Sequence, residues 1–530
     1  MAGSIGSPSV ICVKNLSVSF AGAPQAAVRS FGFTIAAGQT LALVGESGSG
    51  KSLTSLALMG LLPPGAHAHW DDFTFEGDRM AMIFQEPMTA LNPTMRCGEQ
   101  VAEALWTAHG IPKSGARAEA LTWLEKVQLP TPALTARKYP HQLSGGQRQR
   151  VMIAMAMARK PQLLICDEPT TALDAQVQEE ILALLKDLQK EHGMALLFIT
   201  HDLGVVSRIA DEVAVLMQGE CVEQGPASRV LVSPEHPYTQ GLLASRPPLH
   251  QRPMRLRTVE DFLQNTPKDE TPRPRISWNA KAIPLLEVKG LHKSFGIKVL
   301  DGIDLCIFVG ETVGLVGESG SGKSTLARCI IQLEKPDAGE VWFRGERIDA
   351  LSSMGRRLLA TKIQYIFQDP FSSLPPHRTI GQILTEPMRV HSLYRTESAC
   401  EEAAQQILQR VGLPSGAMQK YPHQFSGGQR QRIGIARALV LRPQLILCDE
   451  SVSALDVSVQ AQVLNLLNDL KDEFGFSYLF ISHDLRVVQY MADRLNVLRK
   501  GRWDAQGDPE SLLRNPPTEY LQVLAKHLNE

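Results

Sequence analysis

Short apolar runs recur along the chain, each closed by polar or glycine-rich residues. Thr40-Leu-Ala-Leu-Val44, Met80-Ala-Met-Ile-Phe84, Leu163-Leu-Ile-Cys166 and Leu196-Leu-Phe-Ile-Thr200 have the length and continuity of strands buried on both faces. Ile11 to Phe20 alternates apolar and polar positions, which predicts an edge strand. Helix-forming stretches open at Leu53 and Thr325, and the apolar run Val151 to Ala158 predicts a further helix. Past the middle of the chain the order of signals begins again, with Thr312-Val-Gly-Leu-Val316 standing where Thr40–Val44 stands in the first half.

Both of these strands run into the same ten residues. Leu-Val-Gly-Glu-Ser-Gly-Ser-Gly-Lys-Ser spans 43–52 and again 315–324, with Lys51 and Lys323 272 residues apart. Each copy holds G-x-x-x-x-G-K-[ST], the phosphate-binding loop, in the strand–loop–helix setting that gives the motif meaning. Gly45, Gly48 and Gly50, and likewise Gly317, Gly320 and Gly322, let adjacent backbone N–H groups converge on phosphate oxygens. The helix that follows turns its partly positive end to the anion. Lys51 and Lys323 can reach the β- and γ-phosphates, and the hydroxyls of Ser52 and Ser324 can ligate Mg²⁺. One such loop could be a glycine-rich surface turn; two in the same setting are not read that way.

The remaining motifs follow in one order. Gln85 leaves its strand into a proline-containing loop, a place from which it can contact Mg²⁺ or an attacking water. Leu143-Ser144-Gly145-Gly146-Gln147 opens a helix and is a second potential anion site. Asp167 ends an apolar strand and suits Mg²⁺, while Glu168 is placed to orient or deprotonate water. Ala172-Leu173-Asp174 reads as a connector, and His201 closes another apolar run within reach of a γ-phosphate. Phe20 and Phe295 each precede a phosphate loop and are candidates to stack on an adenine face. The alternative is a packed core phenylalanine, but the matching places of Phe20 and Phe295 favour stacking. The second half repeats the set as Gln368, Ser426, Gly427, Gly428, Gln429, Asp449, Glu450, Asp456 and His483. Ser144 to Glu168 and Ser426 to Glu450 are both 24 residues, and Glu168 to His201 and Glu450 to His483 both 33. From lysine to glutamine the halves differ, 34 residues against 45, which predicts a trimmed antiparallel subdomain in the first.

Composition narrows the class. At 530 residues the chain suggests about three to four ordinary domains, which the repeat resolves into two large halves. A net charge of −1 gives no basic field for nucleic acid, so no nucleic-acid partner is expected. No apolar run reaches the roughly 20 residues a membrane helix needs, and no secretory signal is expected at the N-terminus. The 8 cysteines are scattered without C-x-x-C spacing, pointing to a reducing compartment. Arg246 to Ile283 is rich in proline and mixed charge and reads as an extended linker with a short helix near Val259 to Leu263.

The residues resemble the ATP-binding-cassette ATPases over nearly the whole chain. The signature Ser144-Gly-Gly-Gln147, repeated at Ser426–Gln429, is far more specific to that family than the phosphate loop. The nearest likeness is to the peptide-importer branch in its fused, two-ATPase form, carried by Phe84-Gln-Glu-Pro-Met-Thr-Ala-Leu-Asn-Pro93, Tyr139-Pro-His-Gln-Leu-Ser144, His236-Pro-Tyr-Thr239 and Val457-Ser-Val-Gln-Ala-Gln-Val463. Fused importers of oligopeptides, microcin C-type peptide antibiotics and glutathione look similar. The resemblance implies an α/β fold of two tandem P-loop NTPase domains, each with a RecA-like core, an antiparallel β subdomain and a helical subdomain. The halves are expected at 1–246 and 284–530, with 247–283 between them.

It further implies ATP and Mg²⁺ as cofactors, with Ser52, Gln85, Asp167, Ser324, Gln368 and Asp449 on the metal and Glu168, His201, Glu450 and His483 catalytic. The site of Lys51 would be closed by Ser426, Gly427 and Gly428, and that of Lys323 by Ser144, Gly145 and Gly146. Two membrane permease subunits are implied near the glutamine loops, with a solute-binding protein acting indirectly. The implied place is peripheral, at the cytoplasmic face of the inner membrane. A soluble twin-cassette factor acting on ribosomes is the other class weighed, but such proteins join their cassettes with a long charged helix, unlike 247–283.

Three departures stand out. Pro169 and Thr170 after Glu168 become Ser451 and Val452 after Glu450, which predicts an active site with a looser loop. Pro375 stands where the first half has Asn92, and His236-Pro-Tyr-Thr239 degrades to Pro517-Thr-Glu-Tyr520. No cysteine lies between Cys221 and Cys306, so the iron–sulfur cluster of many single-domain relatives is not expected.

Overall fold

The structure is a computed structural model that describes every residue except 1–8, 171, 172, 174, 250, 268–270, 277–282, 319, 370–372, 454 and 530. Of the connector, Ala172 and Asp174 therefore lie outside the described residues. The chain divides into two compact units, Met1–Leu243 with Phe262–Gln264 and Ala244–Asp261 with Asn265–Glu530.

In the first unit the strands are β1 (Ser9–Phe20), β2 (Val28–Ala36), β3 (Thr40–Val44), β4 (Ala66–His69), β5 (Asp72–Phe75), β6 (Met80–Ile83), β7 (Leu163–Asp167), β8 (Ala195–Thr200), β9 (Glu212–Met217) and β10 (Glu220–Pro226). A six-stranded sheet runs β10-β9-β3-β8-β7-β6, parallel except for β10. Its inner strands β3, β7 and β8 are buried at every position, which is why they read as unbroken apolar runs. The register pairs Val44 with Thr200 and Asp167 with Ile199. The loops leaving β3, β7 and β8 therefore emerge side by side at the carboxyl edge, where open α/β sheets bind ligands.

β1 is not an edge strand. It pairs with β2 on one side and with β4 and β5 on the other. Its alternation has another cause: Ile11, Val13, Leu16 and Val18 are buried on one face, and the other face meets solvent, as antiparallel sheets allow.

The second unit repeats the plan with β11 (Leu286–Phe295), β12 (Ile297–Ile307), β13 (Thr312–Val316), β14 (Ala338–Phe343), β15 (Glu346–Arg347), β16 (Ile363–Ile366), β17 (Leu445–Asp449), β18 (Ser477–Ile481), β19 (Arg494–Arg499) and β20 (Arg502–Gly507). The large sheet runs β16-β17-β18-β13-β19-β20 and the small one β12-β11-β14-β15. Both small sheets have four strands, so the shorter interval before Gln85 has not trimmed the antiparallel sheet. What the first unit lacks there is a helix. Ser353–Lys362 leads into β16, whereas β5 reaches β6 through residues 76–79 alone.

The proline-rich segment is also more than an extended connector. Arg252 and Leu256 are buried within the second unit, to which Ala244–Asp261 belongs. The Arg252 guanidinium donates to the carbonyls of Tyr490 and Met491 and to Asp493, 2.7–2.9 Å away. Leu256 exchanges two backbone hydrogen bonds with the Asn465 side chain, both 2.8 Å. A helix runs Val259–Leu263. No described helix is long and apolar enough to cross a membrane.

Candidate functional site

Each phosphate loop is shaped by close approach. A Cβ on Gly45 would stand 2.2 Å from the Leu216 carbonyl oxygen, and one on Gly317 2.2 Å from that of Leu498. Gly48 and Gly320 lie at φ 84° and 80°; Gly50 and Gly322, at 102° and 110°, cap the helices Lys51–Leu58 and Lys323–Ile330. Only glycine takes such angles freely. Lys51 and Lys323 are buried. The Lys51 ammonium donates to the carbonyls of Gly45 and Glu46 at 2.8 and 2.9 Å, and that of Lys323 to Gly317 and Glu318, both at 2.8 Å. The lysines thus lie folded over their own loops.

In the first unit the sheet gathers the other candidates round this point. Ser52 Oγ donates to Asp167 Oδ1 at 3.2 Å. Gln85 Nε2 donates to Glu168 Oε2 at 2.9 Å, and His201 Nδ1 lies 3.2 Å from Glu168 Oε1. Burial pushes the Asp167 carboxyl up to about 6 and neighbouring Glu168 adds to it, while Ser52 and Lys51 oppose the rise.

The second unit builds the same cluster. Ser324 Oγ donates to Asp449 Oδ1 at 3.0 Å, Gln368 Nε2 to Glu450 Oε2 at 2.9 Å, and His483 Nδ1 lies 3.3 Å from Glu450 Oε2. Lys323 Nζ is 4.0 Å from Glu450. Burial alone would raise Glu450, but His483 and Lys323 hold it below the usual range. Burial alone would lower His483, yet Glu450 raises it. Each group thus shifts in the direction that their mutual contact favours. Ser451 and Val452 are buried, and the N–H and Oγ of Ser453 both donate to the Glu450 carbonyl.

The signature residues sit apart in role. Ser144 caps the helix Gly145–Ala158, accepting from Gln147 N–H, and Gln147 Oε1 accepts from Ser144 N–H. Ser426 and Gln429 make the same box at Gly427–Leu439. A Cβ on Gly146 would meet Val177 Cγ1 at 2.7 Å, and one on Gly428 Val459 Cγ1 at 2.4 Å, so the second glycine admits a crossing helix. Phe20 and Phe295 end β1 and β11 and are exposed, by 37% and 55%, which is not the packing of core phenylalanines. Lys293 Nζ lies 4.9 Å over the Phe295 ring.

Three features escaped the sequence. Glu168 and Glu450 both take φ 47°, a left-handed conformation that no residue pattern announces. Tyr365 donates its hydroxyl to Asp449 Oδ2, while the first unit has Met82 at that strand position. Tyr238 and Tyr520 reach the phosphate loops. Tyr238 Oη accepts from Glu46 N–H at 3.1 Å and Tyr520 Oη from Glu318 N–H at 2.8 Å. The signal for the last was the His236–Thr239 stretch and its degraded counterpart.

A family model described as ABC transporter matches residues 28–171 and 300–453, together more than half of the chain. A second, described as the oligopeptide/dipeptide transporter C-terminal region, matches 222–271. A glutathione import ATP-binding protein of Escherichia coli O6:H1 is 44% identical over 97% of this chain and 89% of its own length. One from Pectobacterium atrosepticum is 43% identical with the same coverage. Among solved structures, part of a Clostridium perfringens ABC transporter complex is 26% identical, covering 47% of this chain and 99% of that one, with a TM-score of 0.40. An ATP-binding cassette in a dimeric, post-hydrolysis state with ADP and phosphate is 29% identical over 42% and 98%, with a TM-score of 0.39.

Proposed function

This chain belongs to the ABC transporter family, and from that membership we propose that its two units form two composite ATP sites whose hydrolysis drives import of peptides or peptide-like solutes. It is an ATPase subunit of the oligopeptide-importer kind with both cassettes on one chain. One observation carries the catalytic reading: lysine, serine, aspartate, glutamate, glutamine and histidine converge at the carboxyl edge of the large sheet in each unit.

In this reading Lys51 and Lys323 leave their loop carbonyls for the β- and γ-phosphate oxygens. Paired hydroxyl and carboxylate oxygens, Ser52 with Asp167 and Ser324 with Asp449, suit a small hard cation. With Gln85 and Gln368 they would hold Mg²⁺, which supplies neutralisation of phosphate charge. Glu168 and Glu450 orient the attacking water and accept its proton. His201 and His483 fix those carboxylates and reach the γ-phosphate. Phe20 and Phe295 stack on adenine.

Each signature helix start then closes over the nucleotide held by the other unit. Ser426, Gly427 and Gly428 serve the Lys51 site, and Ser144, Gly145 and Gly146 the Lys323 site. ATP joins the cassettes and hydrolysis releases them, which is the differential interaction needed to move a partner. Residues 1–246 and 284–530 are taken as the two cassettes. Two permease subunits dock near Gln85 and Gln368, holding the chain at the cytoplasmic face of the membrane. The glutathione importers among its relatives make glutathione the first solute to test.

The test is reconstitution in vesicles with two permease subunits of an oligopeptide-type importer and a solute-binding protein for glutathione or short peptides. Glutathione or short peptides should stimulate both ATP turnover and uptake. Turnover indifferent to every peptide-like solute offered with that binding protein would overturn the reading.

A further inference from the structure

The His236-Pro-Tyr-Thr239 stretch has no part in the chemistry above, yet its tyrosine touches the phosphate loop. Tyr238 sits in the helix Pro237–Ala244, its ring buried, and Tyr520 sits equally buried in the helix Glu519–Asn529. Their phenol oxygens accept from the N–H of Glu46 and Glu318, the second residue of each loop. The same bond thus arises in two units whose surrounding stretches have diverged to His-Pro-Tyr-Thr and Pro-Thr-Glu-Tyr.

What the bond pins is a peptide plane. Glu46 N–H belongs to the same planar unit as the Gly45 carbonyl, so fixing one fixes the other. That carbonyl is one of the two on which the Lys51 ammonium rests, at 2.8 Å. In the second unit the Gly317 carbonyl likewise holds Lys323 at 2.8 Å. These planes need holding, because their glycines have no side chain to resist rotation. On the far side the loop glycine already presses on the carbonyl of Leu216 or Leu498.

We propose that Tyr238 and Tyr520 are positioning residues of the phosphate loops, bracing the Gly45–Glu46 and Gly317–Glu318 peptides so that the loop N–H groups and the lysine stay set for the phosphate chain of a nucleoside triphosphate. The proposal rests on reading these loops as the ATP sites. Neither tyrosine touches the nucleotide; each acts through the loop and Lys51 or Lys323. The degraded C-terminal stretch of the second unit has kept the one atom that does this.

Tyr238→Phe and Tyr520→Phe, each in the full-length chain, remove the phenol oxygen and keep the ring. Loss of one neutral hydrogen bond from a buried site predicts roughly three- to tenfold weaker binding of a non-hydrolysable ATP analogue. KM for ATP should rise more than kcat falls, with the unfolding temperature nearly kept. Leu242→Ala, which loosens the helix of Tyr238 but leaves the phenol in place, is the structural control. It should lower the unfolding temperature and leave analogue affinity as it was. Unchanged affinity in both phenylalanine variants overturns the proposal, and so does an equal loss of affinity in Leu242→Ala. Failure of the wild-type chain itself to bind the analogue would instead overturn the ATP-site reading.

Discussion

Glu168 and Glu450 turn back at φ 47° directly after their strands, a conformation that costs a non-glycine residue on the order of 1–3 kcal/mol. Their N–H groups remain tied to Ile199 and Ile481 of the neighbouring strands, so the turn is held by the sheet. It leaves each carboxylate against its histidine and glutamine, where a water-orienting base belongs. Changing both residues to glutamine keeps the shape and removes the proposed base. Steady-state turnover should fall at least about 100-fold while equilibrium binding of ATP persists. Turnover at the wild-type rate would strip both residues of the role. Their identity was legible because Ser144 to Glu168 and Ser426 to Glu450 share a spacing of 24 residues. The partners Tyr365 and Tyr238 were not, since strand register and a distant helix bring them in, and neither is local to the motif it serves.

At the scale of elements, the buried strands were readable because parallel strands covered on both faces must be apolar throughout. β1 was misread because alternation reports a buried face and is silent on how many strands pair alongside. The helix Ser353–Lys362 was visible only as a difference in interval, which gives length and not type. The proline-rich segment was misjudged for a further reason: one arginine anchors it. Asp493 takes Arg252 at 2.9 Å, Lys471 at 3.2 Å and the N–H of Thr312, the first residue of β13, at 2.9 Å. The first unit holds β3 with Asp211 on Thr40 N–H and Gln189 on the Thr40 hydroxyl. Arg252→Ala leaves Asp493 with Lys471 but strips the buried Tyr490 and Met491 carbonyls of their donor and empties the guanidinium's place, so it should destabilise the second unit by about 3 kcal/mol in calorimetry.

The same cluster sets a pH dependence. Burial alone would raise Asp493, but Lys471 and Arg252 hold it below the ordinary carboxylate range. Its stabilisation is complete above the unfolded value near ~3.9 and is lost as pH falls through the depressed folded value. Asp493→Asn should therefore lower the unfolding temperature clearly at pH 7, and the gap to wild type should close in strong acid. A gap of constant size down to acid unfolding would remove Asp493 from that role.

For the molecule as a whole, the two hydrolytic clusters are alike in plan and unequal in detail. Asp449 has Tyr365 on its second oxygen, and the first unit offers Met82 there. In the proposed account the crossing of signature and phosphate loop makes the chain one machine, and each signature helix start carries the same serine–glutamine capping box. The most direct measurement is photolabelling of the Ser144→Arg chain with an azido-ATP, followed by mapping of the labelled peptides. Crossed sites require that label be lost from the peptide around Lys323 and kept around Lys51. Loss around Lys51 with labelling retained at Lys323 would mean that each cassette encloses its own nucleotide.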